Sequence, residues 1–161
     1  MGEETQMILD SGNRREYATG AVRDRQTGKG RFDLVPIDVV AQFYHGDQVL
    51  QNIALYIHDD DTQHLYAALA VFAPLAFGNR DTMMLEVAKH FEEGAAKYGE
   101  NNWQKGLPVS DYLDSAMRHY FKWRRHDRDE NHHSAFVWNI MCGIWEADFH
   151  VYKEEKTRAE N

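Results

Sequence analysis

Residues 81–103 read DTMMLEVAKHFEEGAAKYGENNW, and the period of this stretch decides the fold. Met84, Val87, Phe91, Ala95 and Tyr98 recur at intervals of three and four, the spacing of a helix with one buried face, and Gly99 follows as a stop. The spacing predicts a helix over 81–98. Downstream, Leu113, Ala116, Met117 and Tyr120 give a second amphipathic helix, with Ser110 as its expected cap and Trp123 near its end. A third is expected from about Asp129 to Lys153, with Phe136, Ile140 and Ile144 inward and an acidic first turn suited to the helix dipole. Upstream, Pro36 opens IDVVAQFY as a helix, and Gly46-Asp47 interrupts it. The run from Val49 to His58 is too short for its period to separate helix from strand, and helix is the reading favoured. Asp61-Thr62 caps an apolar helix through Leu69 that is expected to bend or end near Pro74 and to stop at Gly78-Asn79. The chain is therefore expected to be mainly α, one helical domain over residues 1–161, with frayed residues 1–10 and a low-complexity end, KEEKTRAEN.

The formal net charge of −8 argues against nonspecific binding to a nucleic-acid polymer or to an anionic membrane, because both need a large positive surface. The basic residues are local instead. Arg14, Arg15, Arg23, Arg25, Lys29 and Arg31 crowd an irregular arm over residues 1–35, punctuated by Gly12, Gly20, Gly28 and Gly30, and Lys122, Arg124 and Arg125 form a second run. The arm reads as loops with a short hairpin. Its Gly, Thr and Arg/Lys mixture suits contacts to phosphate, although bare composition also fits a flexible basic tail, and GKGR lacks the spacing of a P-loop. A lone Cys142 leaves no disulfide framework or cysteine zinc cluster and fits a reducing cytosol. No signal-peptide or lipidation pattern follows Met1-Gly2. The longest apolar stretch, Leu65 to Phe77, is too short to span a bilayer, so a soluble cytoplasmic protein is expected.

Carboxylates, imidazoles and amides follow one another through HFEEGAAKYGENNW (90–103), YLDSAMRH (112–119) and DENHHSAFVWN (129–139). Glu92 shares a stripe with Ala88 and Ala95, and Asp114 adjoins Leu113, so both flank inward-facing positions. Acids beside a helical core need a partner, and a divalent cation held by oxygens from several helices is one answer, with a phosphate substrate bridged to it. Plainer readings stand beside this one. Glu92 and Glu93 also fit a solvated face with a Glu93-Lys97 pair, and Asp114-Arg118 fits a surface salt bridge. His132 and Asn139 share the Phe136 stripe. An Asn between Trp138 and Ile140 is costly unless bonded, whereas His132 reads equally as a satisfied core histidine. His126-Asp127 invites comparison with HD phosphohydrolases, with His90 and Asp148 as further ligands, but the pair falls in a charged loop, RRHDRDE (124–130).

Taken together, SGNRREYATGAVRDRQTGKGRFDLVP (11–36), HFEEGAAKYGENNWQKGLPVSDYLDSAMRHYFKW (90–123) and DENHHSAFVWN resemble the phage dATP/dGTP diphosphohydrolase N-terminal family, with the KYG, NW, RH and WN pairs in its order and spacing. The resemblance spans residues 11–36 and 85–145. It implies a small helical enzyme in the style of the MazG-like all-α NTP pyrophosphatases, a helical bundle that cleaves a purine deoxynucleoside triphosphate to monophosphate and pyrophosphate with Mg²⁺, Mn²⁺ being the alternative cation. Such an enzyme would act in the host cytoplasm, as a homo-oligomer, to drain one dNTP or to supply a dNMP for a modified base. The positions that match are Arg14, Arg15, Thr19, Arg23, Lys29, Arg31 and Asp33, then Glu92, Lys97, Tyr98, Asn102 and Trp103, then Asp114, Arg118, His119, Asp129, Glu130, His132 and Asn139. Two departures stand out. Residues 46–80 look like an insertion before the Glu92 helix, and the MazG-like pattern of two Glu three or four apart, with Glu-x-x-Asp on another helix, is not reproduced.

On physical grounds Glu92, Asp114 and Glu130 are assigned as ligands of one or two Mg²⁺ ions, and Arg118, Lys97, Arg14 and Arg15 as groups that offset transition-state charge. His119 or His132 would move protons and Trp103 would stack on the base. Thr19, Arg23, Lys29, Arg31, Tyr98, Asn102 and Asn139 complete the expected substrate contacts. The rivals are an HD-type dNTP phosphohydrolase and a noncatalytic helical binding or assembly module.

Overall fold

A computed structural model describes residues 12–150. Within them the chain forms a hairpin, β1 (Arg14–Glu16) and β2 (Val22–Asp24), followed by six helices: α1 (Ile37–Phe43), α2 (Gln48–Asp59), α3 (Gln63–Phe77), α4 (Arg80–Tyr98), α5 (Val109–Arg124) and α6 (His132–Phe149). This is the mainly α bundle that the periodicity predicts. The expected fraying of residues 1–10 lies outside the described residues, and the last helix, expected to reach Lys153, ends at Phe149, with His150 already extended. No helix among them is long and apolar enough to cross a membrane.

The ambiguous run after Gly46 is helical because Asp47 caps it. One Asp47 oxygen accepts the Leu50 N–H at 3.0 Å, which satisfies an otherwise orphan donor, and the other accepts from the Tyr120 hydroxyl at 2.5 Å and Arg124 at 3.0 Å. The residue that starts α2 thus also fixes α5 against it. Helix α3 continues through Pro74 to Phe77, since a proline in the last turn removes only one backbone hydrogen bond. Its Leu65, Ala68 and Phe72 are fully buried, and the Phe72 ring meets Phe136 at 4.5 Å, Trp123 at 4.9 Å and Tyr120 at 6.1 Å. Burying Phe72 contributes roughly 1.5–3 kcal/mol. Residues of α2, α3, α5 and α6 share this one core, so the 46–80 segment is part of the bundle's interior.

Three expectations shift. Helix α5 begins at Val109 after Pro108, and Ser110 lies inside it. Helix α6 begins at His132, where the Asn131 side chain accepts the Ser134 N–H, which leaves Asp129 and Glu130 in the preceding loop instead of in a first helical turn. On α4 the predicted stripe holds at Val87, which is buried, and at Phe91, which packs on the core, but not at its first member: Met83 is buried, whereas Met84 and Leu85 are 47% and 71% exposed. The Asn79 side chain, accepting from the Thr82 N–H, starts the helix.

From residue 12 onward the basic arm is docked on the bundle. Tyr17 and Ala21 are buried with Leu107, Tyr112 and Cys142. The Asn102 side chain accepts the Val22 N–H and donates to the Val22 carbonyl, both at 2.8 Å, pairing the hairpin edge much as another strand would. Farther along, the Phe32 N–H donates to Asp114 at 2.6 Å and Arg118 donates to the Gly30 carbonyl at 2.7 Å.

Candidate functional site

The docked hairpin, α4, α5 and the approach to α6 border a cleft of about 530 Å³, within the roughly 300–1,000 Å³ usual for small-molecule sites. Five cationic side chains line it (Arg23, Lys29, Lys97, Arg118 and Lys122) against three carboxylates (Asp24, Asp129 and Glu130). In a chain of net charge −8 this is a local reversal of sign, and clefts of one sign concentrate the oppositely charged ligand.

Three of these cations are placed by the fold. Lys97, 7% exposed, reaches Asp24 at 3.1 Å, and Asp24 also accepts from Arg14 at 2.5 Å. Arg23 donates to Ser115 at 2.9 Å and to Asn139 at 3.2 Å, and its guanidinium lies over the Tyr112 and Trp138 rings. The other terminal nitrogen of Arg23 is sealed from solvent and meets no hydrogen-bond acceptor, a costly state for a cationic donor. The Asn139 amide donates to the Ala135 carbonyl at 2.8 Å, so this buried amide is satisfied and aims its oxygen at Arg23. Arg118 is a structural clamp: it holds Asp114 at 2.5 Å, Ser115 at 3.1 Å, the Gly30 carbonyl and Gln26. With side-chain exposures of 8% and 10%, Arg118 and Asp114 form a buried pair, not the surface bridge that the spacing also allowed.

The predicted residues separate into two groups. Arg23, Lys29, Lys97, Tyr98, Asn102, Arg118, His119, Glu130 and Asn139 come together around the cleft, with His132 directly behind His119. Glu92 is exposed on α4 while Glu93 is half-buried, because the cleft side of the helix carries His90, Gly94 and Lys97. Asp114 is engaged by Arg118 and Phe32. Arg14 and Arg15 face Asp24 and Asp111, the Thr19 hydroxyl donates to the Gly106 carbonyl at 2.6 Å, and Arg31 pairs with Asp33 at the surface. Trp103 lines an adjoining hollow of about 250 Å³ with Phe91, Tyr98, Asn102 and Trp138, its ring edge-on to Trp145 at 5.0 Å and to Phe91 at 5.8 Å.

His90, Gln26, Ser115, Lys122 and Trp138 also line the cleft and are missing from the predicted set. The signal for His90 is its position seven residues before Lys97 on one helical stripe. Burial, reinforced by His133 and Lys97, lowers the pKa of His90 to about 4. Burial and then His132 push His119 well below the usual histidine range, so both imidazoles are neutral at pH 7. The Lys29 ammonium at the rim is lowered mainly by burial. Asp129 is held below the usual carboxylate range by its hydrogen bond from His132, at 2.6 Å from the ring Nε2.

Among the described residues two groups of three side chains converge closely enough to hold one cation: His119, Glu130 and His132, and Asp127, Asp129 and His132. Neither is the expected set of Glu92, Asp114 and Glu130. The HD set does not converge either, as Asp127 is gripped by Arg125 through both oxygens and Asp148 accepts from Thr62.

The model of one family, described as dATP/dGTP diphosphohydrolase, N-terminal, matches residues 80–158. No curated protein and no solved structure matches the chain. The match takes in α4, α5 and α6 and leaves out the hairpin, α1, α2 and α3. The cleft walls that supply Lys97, Arg118, His119, Glu130 and Asn139 therefore fall within it, so the part of the chain that is similar to the dATP/dGTP diphosphohydrolase N-terminal family builds most of the cleft.

Proposed function

We propose that the chain hydrolyses a purine deoxynucleoside triphosphate to dNMP and pyrophosphate in this cleft. The observation that carries the reading is the excess of five cations over three carboxylates around one cleft of an acidic chain, taken with a family whose description is a dATP/dGTP diphosphohydrolase. The triphosphate would lie along Lys29, Lys97, Arg23 and Lys122, where charge-assisted hydrogen bonds to its oxygens offset charge in the transition state. The neighbouring hollow of Trp103, Tyr98 and Trp138 offers aromatic faces to the base. Water attacks the α-phosphorus, the bond from that phosphorus to the bridging oxygen of the β-phosphate breaks, and pyrophosphate leaves. The proton of the water is released to solvent through the mouth of the cleft.

Mg²⁺ would neutralise phosphate charge when bound. Of the expected ligand trio only Glu130 fits, since Glu92 is exposed away from the cleft and Asp114 is committed to Arg118 and Phe32. One or two carboxylates plus substrate phosphates are enough for this ion. Incubation with each dNTP and NTP plus Mg²⁺, followed by chromatography, tests the reading. The expected products are dNMP and pyrophosphate, from purine deoxynucleotides in preference to the others. Release of intact triphosphate or of single phosphates, or no turnover of any nucleotide, would reject it. Lys29→Ala with Lys122→Ala should raise KM at least tenfold, as expected for loss of about 1.4 kcal/mol or more of phosphate binding.

A further inference from the structure

The His119 and His132 rings face each other through their Nδ1 atoms at 2.9 Å. Two ring nitrogens at that distance must share either a proton or a metal ion, since opposed lone pairs repel. The nitrogen of His132 that is left for a ligand follows from its other side. Its Nε2 lies 2.6 Å from Asp129, an acceptor, so Nε2 carries a hydrogen and Nδ1 is the nitrogen that remains to meet a metal ion. A histidine whose second nitrogen donates to a carboxylate is the arrangement that orients metal-binding imidazoles and raises their basicity. His119 supplies a second ring nitrogen, and one carboxylate oxygen of Glu130 lies within 4.8 Å of a ring nitrogen of each histidine.

We propose that His119, His132 and Glu130 form a site for a borderline divalent transition metal, Zn²⁺ or Co²⁺ in preference to Mg²⁺, at the end of the cleft beside α6. Two imidazoles and one carboxylate with a side open to solvent are a donor set that suits Zn²⁺ and its neighbours, whereas Mg²⁺ selects oxygen. His132 is 2% exposed and therefore fixed, while His119 and Glu130 line the cleft and give the ion access. The second convergent group is weaker, because both Asp127 oxygens are held by Arg125. Lys29, Lys97, Arg118 and Lys122 line the same cleft and oppose a further cation. Asp129 and Glu130 offset them locally, and the positive charges mark where anionic ligands of the metal would sit.

The site shares Glu130 with the proposed hydrolase but does not rest on that reading, and its test needs no nucleotide. Metal-stripped full-length protein is titrated with Co²⁺ while the visible absorption of nitrogen-ligated Co²⁺ is followed, then challenged with Zn²⁺ or with a large excess of Mg²⁺. One equivalent of Co²⁺ should bind and be displaced by Zn²⁺ but not by Mg²⁺. His119→Gln should abolish the bands, Asp129→Asn should weaken binding by about 10–100-fold, and Glu92→Gln should change nothing. Asp129 is exposed, so Asp129→Asn keeps the test decisive if His119→Gln perturbs folding. Absence of Co²⁺ bands in wild type, bands indifferent to both substitutions, or displacement by Mg²⁺ as effective as by Zn²⁺ would overturn the proposal. Loss of dNTP turnover with Co²⁺ binding intact would reject the hydrolase reading alone.

Discussion

Helix α3 and the N-terminal hairpin both rest on the α5–α6 pair, and they are held there by opposite means. Helix α3 presents Leu65, Ala68, Leu69 and Phe72 to a shared apolar core. The hairpin gives only Tyr17 and Ala21 to an apolar cluster, the following segment adds Phe32 stacked on Phe121, and directional bonds do much of the rest: Asn102 on Val22, Asp114 on the Phe32 N–H, and Arg118 on Gly30 and Gln26. Apolar burial is non-directional and fixes that two elements meet. Hydrogen bonds are directional and fix where each atom stands. The hairpin needs the second kind of fastening because it brings Arg23, Asp24 and Lys29 to the cleft wall, where misplacement by an ångström is expensive.

Truncation in each region separates the two modes. Phe72→Ala should cost about 3–5 kcal/mol, the usual range for emptying a buried aromatic position, and should weaken the whole bundle together. Arg118→Ala leaves the Asp114 carboxylate buried with a lost partner, a change worth about 3 kcal/mol. Urea unfolding measures both. Native-state hydrogen exchange then distinguishes them: in Arg118→Ala the Val22 and Phe32 amides should exchange through local opening well before global unfolding, while in Phe72→Ala they should follow the global transition. Val22 and Phe32 amides that stay as protected in Arg118→Ala as in Phe72→Ala would break the contrast.

That contrast also sets what could be read from the chain. The inward positions of α5 and α6, Leu113, Ala116, Met117 and Tyr120 with Phe136, Ile140 and Ile144, are buried as their period requires. On α4 the run Met83-Met84-Leu85 lets any of the three face inward, and Ala88 and Ala95 are too small to mark a side, so the period alone does not separate Met83 from Met84 or keep Glu92 off the cleft side. The cleft is assembled by bonds such as Arg23 to Asn139, 116 residues apart, for which no local period exists. Residue types at the cleft were partly legible, since Lys97, Arg118, His119, Glu130 and Asn139 sit in unusual pairs. Their partners were not, because Asp114 looks the same in a sequence whether it meets a metal ion or an arginine.

Acidification probes the cleft side of the contrast with a smaller effect. His90 and His119 are lowered by burial, so between the unfolded value near 6.5 and the folded one the unfolded chain binds more protons than the native one. Stability therefore falls as pH drops below about 6.5, by up to about 1.4 kcal/mol per pH unit for each histidine, and the His90 contribution levels off near its folded pKa of about 4. Urea midpoints from pH 7 to pH 4 should show this slope, and His90→Phe should reduce it. An unaltered slope in His90→Phe would show that the imidazole is not buried as a neutral group.

The smallest effect separates docked charge from bare charge within the arm. Arg14 meets Asp24 at 2.5 Å with its side chain 28% exposed and its guanidinium 4.9 Å from the Tyr98 ring centre, whereas Arg31 meets Asp33 at 2.6 Å with 64% of its side chain exposed. Both substitutions to alanine remove one positive charge from the same arm. Exposed pairs contribute little and are screened by salt, so Arg31→Ala should leave the unfolding midpoint unchanged. Arg14→Ala should cost about 1 kcal/mol, and that loss should persist at high salt because partly buried pairs are screened less. Comparing the two variants at low and high salt decides the matter. Equal losses that vanish together in salt would mean that the arm is held by its net charge, and the hydrogen-bonded docking would then explain nothing about Arg14.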